Sequence, residues 1–431
     1  MASFSFGAGN AAKLVRIPLY AAGRVVTLLV PRTRDEWVFG CGAGIGDGAL
    51  ELWTLAAPRA ERAVWLVSSR QEARDAAARG IPTLPKHSVR GFWRTARARV
   101  VVMTHGFGDV NRYAVSGAFV AQLWHGIPLK RIGVDAPETL RPPALLRRRP
   151  FDGVVRAALR AMYRSAARRI DVLPAASHLV RGRLESAFGL DDRRVPVTGE
   201  PRVDVLSRGT ARDRRTLARA AVALAVGDVD QATRLVLYAP TWRDGDEDPA
   251  IPDAGVWRAL VDVLERNDAV LLVRPHPLGA GEYVPPEPTT RVRMLASPVV
   301  ADITPLLPAF DALITDYSSL AYDSALVPMP VVFLAPDVEE YAQRRGFYGR
   351  YEDVAGGDWA RAWVQSAGAG AVAQLEAVLA DPQERSRRLE RARAVSERVH
   401  AYRDGENTAR VYRAIRTRLG GAPRAPLEGA P

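Results

Sequence analysis

The sequence predicts an α/β protein of two successive domains, each built on a parallel sheet. Short runs of Val, Ile and Leu recur between glycine or polar turns and stretches of helical length, the pattern of parallel strands buried on both faces. The chain's 431 residues exceed the roughly 250 to 300 at which a single core stops growing. Its hydrophobic content of 48% and charged content of 25% are those of an ordinary globular chain.

Residues 1–32 precede the first strand. Within them, 11–30 ("AAKLVRIPLYAAGRVVTLLV") carry an apolar face of Leu14, Ile17, Ala21, Val25 and Leu28 flanked by Lys13, Arg16 and Arg24. Those cations and Pro18 argue against a membrane-spanning helix, and Arg24 splits the apolar core that a cleaved signal peptide needs. The face suits a helix lying on an anionic bilayer and equally one packed on the domain.

A first domain, 33–210, is read with strands at 36–41, 63–69, 98–104, 118–124, 169–175 and 194–199. A second, 211–382, has strands at 234–240, 269–275, 291–295, 311–316 and 330–336. The polar, arginine-rich and then alanine-rich stretch 205–230 holds the boundary. Residues 136–150, with Pro137, Pro142, Pro143 and four arginines, read as a loop or interfacial patch. Residues 383–418 read as one or two helices packing back on the domains, their dense charge a solvated face, and 419–431 as a flexible tail.

The formal charge of +12 suits nucleic acid, an anionic membrane or phosphorylated substrates. All but three of the 60 basic residues are arginine, so single arginines say little and Lys13, Lys86 and Lys130 say more. Cys41 is the one cysteine, which excludes an intramolecular disulfide and a cysteine zinc cluster and fits a reducing compartment. A nucleic-acid role would account for the charge but not for histidines at strand ends, and none is expected.

In open parallel sheets ligands bind beyond the carboxyl ends of the strands. Four such ends carry unusual residues: "WHGIPLK" (124–130), "PTWRD" (240–244), "RPHP" (274–277) and "DYSS" (316–319). His125 has the ordinary pKa of a neutral-pH base, Gly126 lets a ligand approach the backbone, and Trp124 offers a wall against water. A lone strand-end histidine is as often a turn residue, but His276, held between Pro275 and Pro277, is a second one. Ser318 and Ser319 open a helix, as N-cap, anion site or both. Arg243 and Arg274 suit a diphosphate through paired N–H donors, and Lys130 as a point charge. His105 also ends a strand without a partner motif; His87, His178 and His400 carry no functional argument. There is no GxxxxGK[ST], GxSxG or HExxH, and "GCGAGIG" (40–46) lacks dinucleotide-binding spacing.

Taken together, "GDVNRYAVSGAFVAQLWHGIPLKRIGVD" (108–135), "LYAPTWRD" (237–244), "VRPHP" (273–277), the stretch 302–348 around "DYSSLAYDSAL" and the opening "WVFGCGAGIGDGA" (37–49) resemble the CDP-glycerol glycerophosphotransferase family of bacterial wall teichoic acid synthesis, in the family's order. The resemblance implies a GT-B fold, two Rossmann-like domains with parallel sheets facing across a cleft. It implies transfer of glycerol phosphate from CDP-glycerol to a hydroxyl of a lipid-linked glycerol-phosphate or polyol-phosphate acceptor, releasing CMP, at the cytoplasmic face of the membrane. It implies His125 as base and His276, in protonated form, as donor-side catalytic residue. It sets Thr241, Trp242, Arg243, Arg274, Asp316, Ser318 and Ser319 about the donor, with Trp124, Gly126 and Lys130 on the acceptor side or in support. Neither metal nor cofactor is expected. Departures at "FYGRYEDVAGGDW" (347–359) and Ser324 bear on whether the alditol is glycerol or ribitol. The alternative is a GT-B glycosyltransferase using a nucleotide sugar in cell-surface polysaccharide synthesis.

Overall fold

The computed structural model describes residues 17–142, 151–243, 246–276 and 281–420. Lys13, Leu14, Arg16, Asp244, Pro277, most of the arginine-rich patch before 150 and the tail beyond 420 lie outside the described residues. The chain forms two compact units: Met1–His125, Ile132–Asp204 and Asp404–Pro431 make one, Gly126–Arg131 and Val205–Arg403 the other. The units therefore interleave, where the sequence suggested consecutive domains at 33–210 and 211–382.

In the first unit, β1 (Glu36–Phe39), β2 (Arg62–Val67), β3 (Thr83–Pro85), β4 (Val100–Met103) and β5 (Phe119–Gln122) form a wholly parallel sheet of order β3-β2-β1-β4-β5. Val38 pairs with Val64 on one side and Val101 on the other. In the second unit, β6 (Arg234–Ala239), β7 (Ala269–Val273), β8 (Val292–Met294), β9 (Ala312–Thr315) and β10 (Val331–Phe333) form another parallel sheet, β10-β9-β6-β7-β8. Counted within its own unit this is the same doubly wound order, reversing between the first and fourth strands. Both α/β sheets are buried as their apolar runs require: Phe39, Trp65, Val101, Leu237, Leu271 and Ile314 have essentially no exposure. Ser69, Ser88, Ser177, Thr210 and Asp253 each cap a following helix by accepting a backbone N–H three residues on.

Some sequence expectations change. Residues 169–175 and 194–199 are not regular strands but single bridges, Ala121 to Val172 and Ala175 to Val197. Pro174 and Pro196 supply no N–H, so no ladder continues through them. The edge strand β3, three residues long and ending in a proline, escaped the reading altogether.

The charged C-terminal segment is two helices in different units, Pro382–Val399 and Asn407–Arg418. Its charges are not simply solvated. Arg388, 4% exposed, bonds Glu384 at 2.6 Å and the Val331 carbonyl at 2.7 Å. In the first unit the Asp204 carboxylate accepts the N–H of Asn407 at 2.9 Å and of Thr408 at 2.7 Å, and Arg416 pairs with Asp35 at 2.7 Å.

The helix Ile17–Leu29 takes Pro18 in its first turn, where its missing N–H costs nothing. It packs through Tyr20, whose ring meets that of Tyr113 at 4.8 Å with the planes 60° apart, and through buried Gly23 and Thr27. Leu19, Val25, Leu28 and Leu29 are left 56 to 79% exposed. Among the described residues, no helix is long and apolar enough to cross a membrane.

Candidate functional site

In each unit the residues singled out gather where the strand order reverses, and each group is described by itself.

In the first unit that place lies between the ends of β1 and β4. After β4 comes Thr104-His105-Gly106, whose three backbone N–H groups all donate to the Asp109 carboxylate, at 3.0, 2.7 and 3.3 Å. After β1 runs the loop of Cys41 and Gly42. A Cβ on Gly42 would stand 2.6 Å from Cγ of His105, so only glycine lets the loop lie against that ring.

β5 then delivers Trp124 and His125. Trp124 has φ of +64°, a left-handed backbone that a bulky residue adopts at a cost of order 1–3 kcal/mol. Its indole is held edge-on against Phe188, ring centres 5.1 Å apart. Gly126 follows with φ of +136°, a region open to glycine.

The outcome of this bend is that His125 lies flat on His105: ring centres 4.2 Å apart, planes 3° from parallel. Nδ1 of His125 is 3.5 Å from the Thr104 carbonyl oxygen and Nδ1 of His105 is 2.8 Å from the Thr104 hydroxyl. Burial pushes the His125 pKa down to about 3, with the neighbouring His105 and Arg202 acting the same way against Thr104 and Asp109. Burial also takes His105 to about 4, helped by Arg202. Both rings are neutral at pH 7, so His125 is free to accept a proton.

Among the described residues, Cys41, Asp47 and His105 hold candidate metal donors within 4.8 Å of one another. Each is already engaged. Cys41 Sγ accepts the Ala43 N–H at 3.3 Å and the Thr104 hydroxyl at 3.2 Å, Asp47 pairs with Arg202 at 3.2 Å, and His105 meets Thr104. Burial, with Asp47 beside it, raises the Cys41 thiol well above its usual range in the metal-free protein.

In the second unit the reversal lies between the ends of β6 and β9. Thr241, Trp242 and Arg243 leave β6; Asp316 to Ser319 leave β9. Asp316 is buried and ties the two ends together, accepting the Thr241 N–H at 3.0 Å and the Arg243 guanidinium at 2.9 Å. Burial raises its pKa against the pull of Arg243.

Arg243 is not the free phosphate donor the sequence suggested. At 5% exposure its guanidinium is spent on Asp316, on Asp337 at 2.7 Å and on Asp248 at 3.6 Å, with the Tyr317 ring 4.9 Å away. Burial works against its charge, but these carboxylates hold its pKa above the usual arginine value. Arg274 is also committed, donating to the carbonyls of Leu295, Val300 and Ala301 at 3.1, 2.7 and 3.1 Å. Both arginines shape the loops.

What faces outward is different. Thr241 is buried, yet its hydroxyl has no hydrogen-bond partner. Trp242 stacks on His276, ring centres 5.7 Å apart and planes 12° from parallel. Lys130 stands 5.9 Å over the Tyr341 ring, in a segment bridged to Phe347. Desolvation by surrounding protein, with Lys130 and Arg274 nearby, lowers the His276 pKa to about 4, so this ring is neutral rather than protonated. The Ser318 hydroxyl accepts the Leu320 N–H at 3.2 Å, while Ser319 makes no side-chain cap. The helix Leu320–Ser324 has five residues, too short for a sizeable dipole.

The sequence thus pointed to His125, Thr241, Trp242, His276 and Lys130, and the structure groups the last four in one unit. It missed Thr104, Arg202 and the role of His105, whose strand-end position was the one available signal.

Comparison with known proteins agrees with this architecture. A teichoic acid glycerol-phosphate transferase of Staphylococcus aureus is 28% identical over 280 residues, 63% of this chain and 66% of that protein. A teichoic acid poly(glycerol phosphate) polymerase of Bacillus subtilis is 27% identical over 288 residues, 65% of this chain and 35% of that protein. The chain therefore spans just under two thirds of the first relative and about a third of the second. The solved wall teichoic acid polymerase TagF, 20% identical, superimposes over 95% of this chain and 97% of its own with a TM-score of 0.69, which shows the same GT-B fold class. The family model described as CDP-Glycerol:Poly(glycerophosphate) glycerophosphotransferase matches residues 54–417, a span holding both parallel sheets but for β1, and the chain belongs to that family.

Proposed function

We propose that the protein transfers glycerol phosphate, or a related alditol phosphate, from CDP-glycerol to a hydroxyl of a lipid-linked teichoic-acid-type acceptor and releases CMP. Beyond family membership, the observation that carries this reading is the His125 imidazole held flat on His105 beside a strand-order reversal, ring centres 4.2 Å apart. The acceptor oxygen attacks the phosphorus bearing glycerol, its proton passes to Nε2 of His125, and the bond to CMP breaks. The transition state spreads charge over phosphoryl oxygens, so fixed donors are the main requirement. Thr241, with its unmatched hydroxyl, Ser318, Ser319, Lys130 and the Trp242–His276 stack supply the donor side. The diphosphate, once bound, sets negative charge against that of Lys130 and Arg274, which raises the basicity of His276 and favours its protonated form as a donor. Arg243, Arg274 and Asp316 hold those loops in place. No resident metal or cofactor is invoked; Lys130, the hydroxyls and the backbone N–H groups of these loops are the donors assigned to the phosphoryl charge.

The protein works as a peripheral enzyme at the cytoplasmic face of the membrane. The support is the helix Ile17–Leu29, which buries Gly23 and Thr27 and exposes its leucines and valines beside Arg24, the arrangement of a helix seated on an anionic bilayer.

The test is a donor panel of CDP-glycerol, CDP-ribitol and UDP-sugars, with a glycerol-phosphate-primed lipid acceptor on anionic vesicles and with EDTA present. CMP release from a CDP-alditol with a matching gain in acceptor mass is expected. UDP release from a UDP-sugar instead would transfer the protein to the glycosyltransferases. In the same preparation Leu28→Asp is expected to leave the vesicle pellet for the supernatant; unchanged sedimentation would remove the membrane role from that helix.

A further inference from the structure

We propose that His105 is a positioning residue for His125: the two stacked imidazoles form one unit that carries a single proton and presents Nε2 of His125 to the incoming hydroxyl. The inference deepens the function proposed above and rests on it for the identity of that hydroxyl.

The geometry leaves little freedom. A backbone carbonyl only accepts, so the 3.5 Å contact between Nδ1 of His125 and the Thr104 carbonyl favours the proton on Nδ1. The lone pair is then on Nε2, the far side of the ring. The ring lies against two others, parallel to His105 at 4.2 Å and tilted by 34° to Trp124 at 4.3 Å. His105 is fixed in its turn, with Gly42 against its ring, the Thr104 hydroxyl at Nδ1, and its backbone N–H on Asp109.

The proton balance follows from the same stack. When the acceptor hydroxyl gives up its proton, Nε2 of His125 becomes N–H and the ring a cation. That cation lies face to face on a neutral imidazole, whose π face it tolerates. A second proton on His105 would set two cations against each other at the same separation, with Arg202 adding a third positive charge. The other charged group acting on His125 is the Asp109 carboxylate, which favours the single imidazolium. The pair therefore titrates as one site, and His105 acts through His125 without touching substrate.

Two measurements decide this. The first needs no substrate: nitrogen NMR of histidine-labelled protein at neutral pH, with His125 assigned by difference from His125→Ala. The Nδ1–H tautomer is expected in the parent and a tautomer mixture in His105→Ala; an Nε2–H tautomer in the parent overturns the proposal. The second is kinetic. His105→Ala is expected to lower kcat by about 10- to 100-fold, the scale of a small misplacement at a reacting centre, with KM for CDP-glycerol changed less than about twofold because the donor loops are untouched. His105→Phe, which keeps a flat ring, is expected to recover to within about fivefold of the parent. A His105→Ala enzyme equal to the parent, or a phenylalanine variant as slow as the alanine one at a parent-like melting temperature, overturns it. If His105→Ala does not fold, the parent tautomer still decides. A parent that releases no CMP sinks the functional reading and leaves the tautomer question standing.

Discussion

The two sheets share a strand order and differ in what stands at the point of reversal. In the first unit, strand ends meet around two neutral imidazoles stacked 4.2 Å apart. In the second, they meet around a buried arginine held by three carboxylates, with its chemistry-bearing side chains arrayed outside that knot. In the function proposed above, one reversal carries a group that changes protonation and the other a set of paired charges that hold the loops. A fold repeated within one chain is thus a neutral platform, and its loops decide whether it does proton chemistry or holds anions.

The sharpest way to break that contrast is to remove the imidazole. His125→Ala is expected to lower CMP release by about 10²–10⁴-fold, the range for a general base, with an unchanged melting curve. A residual rate within tenfold of the parent would take the proton chemistry away from the first unit.

The mirror experiment is Asp316→Asn, which leaves Arg243 short of a buried partner. Breaking such a pair costs about 3–5 kcal/mol, so chemical denaturation of the second unit should begin at clearly lower denaturant. A parent-like transition would mean that Asp337 and Asp248 suffice.

Acid should test the first unit's imidazoles directly. His125 and His105 are neutral in the folded protein down to about pH 3 and 4, whereas unfolded imidazoles take up protons near pH 6.5. The unfolded state then binds more protons, so their contribution to stability is present above about pH 6.5 and is lost as pH falls toward 4. His125→Ala should flatten that decline; a slope unaffected by removing the imidazoles would contradict their neutral burial.

The smallest effect is expected at Thr241. Val in its place removes a buried hydroxyl without a partner, so stability is expected to rise by about 1 kcal/mol, while KM for CDP-glycerol increases severalfold. A drop in stability would show that the hydroxyl already has a partner.

Much of this was legible in the sequence because the determinants are local. Continuous apolar runs betray buried parallel strands, and the stretches that hold His125, Thr241 and Trp242 stand out because they follow strand ends. The misreadings all involve partners distant in the chain. Arg243 looked like a phosphate donor because Asp316 and Asp337, 73 and 94 residues further on, declare themselves only in three dimensions. His105 looked idle because its companion, His125, lies beyond the end of the next strand. The charge of Arg388 and Arg416 looked solvated for the same reason, and residues 169–175 looked like a strand because proline's missing donor matters only once a neighbour is present.

The left-handed backbone at Trp124 has a bearing on any effort to toughen this protein. Glycine there would relieve about 1–3 kcal/mol of backbone cost but empty a buried indole site worth about 3–5 kcal/mol, so screens for heat tolerance should reject that replacement. The same loss would let the following imidazole wander from its stack. Evolution under growth and evolution under heat would therefore hold this one position to the same residue.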